Sequence, residues 1–400
     1  MGKLIGVDDK LTAMLRVVLV AGLVGCAGIA HPVAPEAGWT ELRSPHFTVW
    51  THGDPESGAL LVREMEHLRS VVLGVAFPKL PDPGRTLVIA FRDADEVAGF
   101  LPKQFAAEAF HGTPLFQPVI VVAADAIDRD ERILTHEMTH AISYRALRVQ
   151  PRWFAEGLAS FFETVRLDPD RATVDVGAPY DWRVRQIRRG QLDTVETAFA
   201  CDRVACETSD FYATTWAMFT YLINERPAQL ARYEETLAGL APGAPPPALA
   251  DVVPELRAAA LQHDISEWLM HGRHNVWHYT IQLRTWPIAT RPMAAAEGHA
   301  ARAVVRVSLD RGHSEELAAT LALDPTNLVA TLMKAARDRA IDPATARAVA
   351  TAHPDDWRAW WLVGMAVRVG DEARDARAKL CALAAADPDA VPPTGLCGSR

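Results

Sequence analysis

Ile133-Leu134-Thr135-His136-Glu137-Met138-Thr139-His140-Ala141-Ile142-Ser143-Tyr144 is the stretch that decides how the rest of this 400-residue chain is read. On a helix, His136 and His140 are four residues apart and project from one face, within reach of a single ion. Glu137 lies beside them. Ile133, Ala141 and Tyr144 share the helix, so these polar groups sit on or beside an apolar face, where unpaired side chains are costly and a bound metal removes the cost. Catalytic zinc takes three protein ligands and leaves a position open for water, so a third ligand is expected downstream.

A glycine at the third residue past His140 and a histidine three further on would supply a third imidazole, but the chain has Ser143 and Ala146. Instead, after 15 intervening residues, Trp153-Phe154-Ala155-Glu156-Gly157-Leu158-Ala159-Ser160-Phe161-Phe162-Glu163 embeds a carboxylate among aromatics. An unpaired buried Glu156 would be expensive or forced neutral, whereas a cation beside it makes the position reasonable. His136, His140 and Glu156 are therefore the expected ligands of one Zn2+. Gly157 is expected to let this helix and the motif helix approach closely.

Outward from the motif, His46 to Thr51 alternates in polarity as a half-buried strand does, and Thr86–Phe91 and Pro118–Ala123 are β-branched runs bounded by Gly, Pro and Asp. Glu56 to Leu73 has helical spacing, and Asp128 with Glu131 offers a capping box for a helix running to about Ala146. A second helix is expected after Pro151, and a Pro-rich link at Pro242 to Pro247. The fold class is thus α+β: a small mixed β-sheet subdomain, a mostly helical subdomain, then an all-α C-terminal region. The expected boundaries are 1–25 leader, 26–38 tether, 39–290 main domain and 291–400 helical region. In that last region Asp324-Pro325, His353-Pro354 and Asp387-Pro388 each follow an apolar helix, the last two prolines 34 positions apart and the first two 29. This spacing, with Trp360-Trp361-Leu362-Val363-Gly364, resembles a degenerate tetratricopeptide repeat; a generic helical hairpin cap reads equally well.

With 49% hydrophobic and 23% charged residues the bulk of the chain should fold. A formal net charge of −9 and the lack of a long Lys/Arg run argue against a nucleic-acid partner. Arg183, Arg185, Arg188 and Arg189 read as a solvated helix face. Arg16 precedes the short apolar run Val17 to Gly25, which reads as an export signal. Leu23-Val24-Gly25-Cys26 resembles the lipobox of bacterial lipoproteins, which implies lipidation of Cys26, a membrane anchor and a place in the bacterial cell envelope, facing the periplasm or exterior. Ala27 after Cys26 points to an outer membrane where the host has two. An exported chain can form disulfides, and Cys201, Cys206, Cys381 and Cys397 remain as an even set. Local pairing, Cys201 with Cys206 and Cys381 with Cys397, is the simplest of the three connectivities.

His-Glu-Met-Thr-His followed by Pro-x-Trp-Phe-x-Glu-Gly-Leu-Ala-x-Phe-Phe-Glu resembles the peptidase MA-like gluzincins, related to thermolysin, over residues 39 to 240. The resemblance implies a zinc metallopeptidase in which His136, His140 and Glu156 hold the metal and Glu137 is the general base, acting on a peptide or protein substrate. It also implies an edge strand at Pro118–Ala123 that aligns the substrate backbone. Tyr212, in Phe-Tyr-Ala-Thr-Thr-Trp-Ala-Met-Phe, resembles the Tyr-x-x-x-Trp helix of that family and is the candidate to steady an oxyanion; an aromatic packing role is the other reading, and Tyr144 and His111 are weaker candidates. Ser160 stands where thermolysin-like enzymes carry a histidine-orienting Asp, a departure that favours a silent scaffold, and no Gly-x-Met-Glu-Asn-like segment marks an aminopeptidase, so that of the peptidase activities endopeptidase is favoured. The rival readings are a binding or scaffold lipoprotein without turnover, and a zinc hydrolase acting on a non-peptide amide or ester. The helical C-terminal region is expected either to bind a protein partner or to pack on the enzyme.

Overall fold

The computed structural model describes residues 38–400 except 79–81, 83, 101–108, 113–117, 125, 148, 169, 242, 310–313, 388–389, 391–395 and 398–400. The expected leader, Cys26 and residues 26–37 of the tether lie outside the described residues. Among those described, no helix is long and apolar enough to cross a membrane.

The order of elements begins β1 (Thr40–Arg43), β2 (Phe47–Thr51), α1 (Pro55–Ala76), β3 (Thr86–Phe91), α2 (Ala94–Ala98), β4 (Ala109–Gly112) and β5 (Val119–Ala123). The motif helix α3 (Ala126–Ala146) and α4 (Arg152–Phe162) follow, then β6 (Arg166–Asp168), β7 (Thr173–Val176), α5 (Asp181–Arg188), α6 (Val195–Ala200), α7 (Ser209–Glu225), α8 (Pro227–Ala238), α9 (Leu249–Val252), α10 (Ala258–His271), β8 (Trp277–Thr280) and β9 (Ala289–Pro292). The chain closes with α11 (Ala295–Ser308), α12 (Ser314–Leu323), α13 (Leu328–Asp338), α14 (Pro343–Ala352), α15 (Trp357–Ala366) and α16 (Asp371–Ala386). The class is α+β, with a small mixed sheet near the N-terminus and helices thereafter.

The sheet runs β4-β5-β3-β2-β1-β9, with β2, β3 and β5 parallel and the flanking pairs antiparallel. Every residue of β3 and β5 is buried, as expected of β-branched strands covered on both faces. β2, which alternates buried and half-buried positions, carries the polarity pattern seen in the sequence. The expected edge strand is not at the edge: β5 pairs with β3 on one side and with β4 on the other, so β4 is the edge. Ala109 to Gly112 is too short to carry an alternation that sequence could reveal.

The motif helix begins at Ala126, two residues before the expected cap, so Asp128 lies inside the first turn; such ends are soft by one or two residues. The expected boundary at 290/291 falls within β9, which pairs with β1 in the register Thr40↔Pro292 to Arg43↔Ala289. Arg291 reinforces that junction by binding both Glu41, at 3.0 Å, and Glu297, at 2.7 Å. Arg302 of α11 reaches Glu96 of α2 at 3.0 Å, and Glu96 also accepts from His52 at 2.8 Å. The helical region is thereby stitched onto the sheet. Its own core gathers Leu328, Leu332, Val349, Leu362 and Val363 from successive helices.

Candidate metal centre

α3 and α4 are consecutive helices separated by a short connection, and Pro151 starts α4 in an extended conformation suited to its fixed φ. Trp153, Phe154, Phe161 and Phe162 are buried, so α4 lies in an aromatic bed shared with Phe219 and Tyr233. Gly157 permits a backbone approach, but with α7 and not with α3: a Cβ there would stand 2.7 Å from the Thr215 carbonyl oxygen and 3.0 Å from Phe219 Cβ. That contact fixes the rotation of α4 and so the direction in which the adjacent Glu156 points.

The three expected ligands meet. His136 Nε2 and His140 Nε2 are 3.0 Å apart, and each is 3.3 Å from Glu156 Oε2. Three ligands at about 2.0–2.1 Å from a tetrahedral zinc would be separated by about 3.3 Å, so the triangle has the size that the ion needs. Glu156 Oε2 is buried and has no hydrogen-bond partner among the described residues, an expensive state for a carboxylate unless a cation is shared. The surroundings of the triangle are acidic: Glu137 and Glu163 act on His136, and Glu207 acts on Glu156. The group can hold a metal ion.

Tautomer control comes from a residue that sequence did not assign. His136 Nδ1 is 2.8 Å from Glu163 Oε1, and since a carboxylate only accepts, Nδ1 carries a proton, and Nε2 is the nitrogen turned toward Glu156 and His140. Arg183 in turn donates to Glu163 Oε1 at 2.6 Å, to Oε2 at 2.8 Å and to Ser160 Oγ at 3.0 Å. The histidine-orienting carboxylate missing at position 160 is therefore present two helical turns past Glu156, at i+7, where it shares the ligand's face. Burial pushes the Glu163 carboxyl up, but His136 and Arg183 outweigh it and hold the group below its usual range.

Arg183 corrects the expectation of a solvated basic face. It is 3% exposed, with its guanidinium over the rings of Tyr180, Trp182 and Tyr212 at 5.5–5.8 Å, whereas Arg185, Arg188 and Arg189 are exposed as expected. A count of basic residues cannot tell the one that points inward from its neighbours.

Burial opposes charge on Glu156, but the two histidines hold its carboxyl well below the usual range, as a ligand requires. Glu137 is half-buried, and burial pushes its carboxyl up; His136 and His140 pull the other way without cancelling it. Its basicity is raised, which suits a proton acceptor. Tyr212 lies edge-on to His136, ring centroids 6.3 Å apart, and its hydroxyl donates to Glu207 Oε2 at 3.5 Å. Burial, then Glu156 and Glu207, push the phenol up, so it remains a proton donor throughout the working pH range. Tyr144 is exposed, and the side chain of His111, on β4, is outside the described residues. The structure also joins Cys201 to Cys206 and Cys381 to Cys397, the local pairing.

Residues 132–243, from within α3 through α8, match a family model described as a protein of unknown function, DUF1570, and this segment holds His136, Glu137, His140, Arg152, Glu156, Glu163, Arg183, Glu207 and Tyr212. The description names no chemistry, so function rests on the site.

Proposed function

We propose that this protein is a zinc-dependent hydrolase of peptide bonds, related in its site to the gluzincin peptidases. The observation that carries the reading is the ligand triangle, with Glu156 Oε2 buried, otherwise unpaired and 3.3 Å from both imidazoles. Zinc bound there supplies Lewis-acid polarisation of water and of the scissile carbonyl. His136, His140 and Glu156 hold it, and Glu163 with Arg183 keeps His136 in the ligating tautomer. Glu137, made more basic by burial, takes a proton from the attacking water and passes it to the leaving amine. Tyr212, kept protonated beside the site, donates to the oxygen that gains charge.

Ser160 was the feature favouring a silent scaffold, and Glu163 removes that reason by supplying the orienting carboxylate. The lipid anchor on Cys26, the cell-envelope location and a protein partner on the tetratricopeptide-like region between 291 and 400 belong to the same proposal. Elemental analysis for zinc, together with peptide-library cleavage by wild type, by Glu137→Gln and by a chelated sample, tests it. The expected result is stoichiometric zinc with cleavage lost in both treated samples. Zinc without chelator-sensitive cleavage of any peptide would leave a scaffold.

A further inference from the structure

Arg152 stands one helical turn before Glu156, its Nη2 3.9 Å from Glu156 Oε1. A guanidinium at this spacing can close on a carboxylate in a bidentate fork, and here the fork would cover the group that faces both imidazoles. What prevents it is a third side chain. Arg152 Nε and Nη2 both point at Glu207 Oε1, and the Glu207 side chain is only 6% exposed. Tyr212 donates to its other oxygen. Burial, then the negative Glu156, push the Glu207 carboxyl up, while Arg152 offsets part of this.

The backbone is held by a covalent bond. Glu207 follows Cys206 directly, and the Cys201–Cys206 disulfide closes the loop that delivers it. Within the loop the Glu207 N–H bonds the Val204 carbonyl at 3.0 Å. The next residue, Thr208, caps α7 by accepting the Phe211 N–H at 3.2 Å. The residue is thus fixed between a disulfide and a helix start.

We infer that Glu207 is a positioning residue of the metal centre: it holds Arg152 away from Glu156, so that Glu156 stays available to the cation, and the Cys201–Cys206 bond keeps it in place. This rests on the metal-site reading above. Its role is therefore measured as metal affinity, which does not depend on turnover.

The test is zinc affinity of the full chain by competition with a chromogenic chelator, for wild type, Glu207→Ala, Arg152→Ala and the double variant. Glu207→Ala is expected to bind zinc about tenfold or more weakly, as loss of outer-shell partners does elsewhere. Arg152→Ala and the double variant should each stay within about threefold of wild type, because removing the competing guanidinium removes the need for its restraint. A double variant as weak as Glu207→Ala would reduce Glu207 to a structural prop and overturn the inference. So would an Arg152→Ala variant that gains as much as Glu207→Ala loses, since simple charge at a distance explains that pattern. Glu207→Gln, which keeps volume and removes charge, serves the same arm where the alanine variant does not fold. Cys201→Ser/Cys206→Ser should weaken zinc in the same direction, and Cys381→Ser/Cys397→Ser should leave it unchanged; equal affinity in the first pair overturns the role given to the disulfide. If wild type binds no zinc, the metal reading itself fails, whereas zinc-binding wild type with an unaffected Glu207→Ala sinks this inference alone.

Discussion

Replacing Glu163 by Gln probes the support of the metal more sharply than replacing a ligand, because all three ligands stay. Two donors, His136 Nδ1–H and Arg183 Nη2–H, converge on Glu163 Oε1 at 2.8 and 2.6 Å, and Arg183 also reaches Oε2 at 2.8 Å. One amide oxygen can serve both donors at the first position, but the amide NH2 then opposes the Arg183 N–H at the second. Loss of a histidine's outer carboxylate typically costs 10–100-fold in metal affinity, about 1.4–2.7 kcal/mol. The fold is hit as well: Arg183 is 3% exposed, and a buried charge left without its partner costs about 3 kcal/mol or more. Zinc affinity by chelator competition and thermal melting in chelator check the two effects separately. Both should fall in Glu163→Gln. Zinc affinity within about twofold of wild type would refute the claim that the negative charge of Glu163 strengthens His136 as a ligand.

Other consequences can be measured independently. Glu137→Gln should keep zinc and lose peptide cleavage by about 10²–10⁴-fold, the range of a general base, as read by elemental analysis and initial rates. Gly157→Ala should lower stability by about 1–3 kcal/mol in denaturant titration, because its methyl group must displace the Thr215 carbonyl and Phe219, and zinc affinity should fall with it as Glu156 is turned. Glu66 supplies the pH dependence. It is fully buried, with Ser44 Oγ at 2.6 Å and His46 Nδ1 at 2.6 Å. Burial raises its carboxyl, but His46 and Ser44 outweigh it, so the folded value lies below the unfolded one of about 4.3. Its contribution is present above that pH and lost as the pH falls through the folded value. The stability gap between wild type and Glu66→Gln should therefore narrow in acid denaturation series below about pH 4, and a gap that stays constant would contradict this assignment.

The parts of this molecule that sequence revealed are those in which a local pattern reports a local fact. β3 spans the residues expected, and β5 all but the first, because an unbroken apolar run means a strand buried on both faces. The group that can hold a metal ion was legible because a pair of histidines one turn apart and a carboxylate among aromatics are each costly without a cation. Much of the support of the site was not legible, for a geometric reason. Arg183 arrives from α5 and Glu207 through a disulfide loop, so both depend on packing that no periodicity encodes, whereas Glu163, at i+7 from Glu156, carried a helical-spacing signal that could have found it. The edge of the sheet was misplaced for a related reason, since β4 contributes four residues with no pattern of their own. Short β1 and the three-stranded sheet β6-β7-β8 also lacked a sequence signal, their pairing being set by partners as distant as β8.

X-ray absorption at the zinc edge, on the full chain loaded with zinc and freed of excess metal, bears most directly on the central claim. The account predicts one zinc per chain, with two imidazole nitrogens and a carboxylate oxygen at about 2.0–2.2 Å, and loss of that signal in His136→Ala, His140→Ala and Glu156→Ala. A chain that retains no zinc, or one whose zinc signal survives all three substitutions, would contradict it.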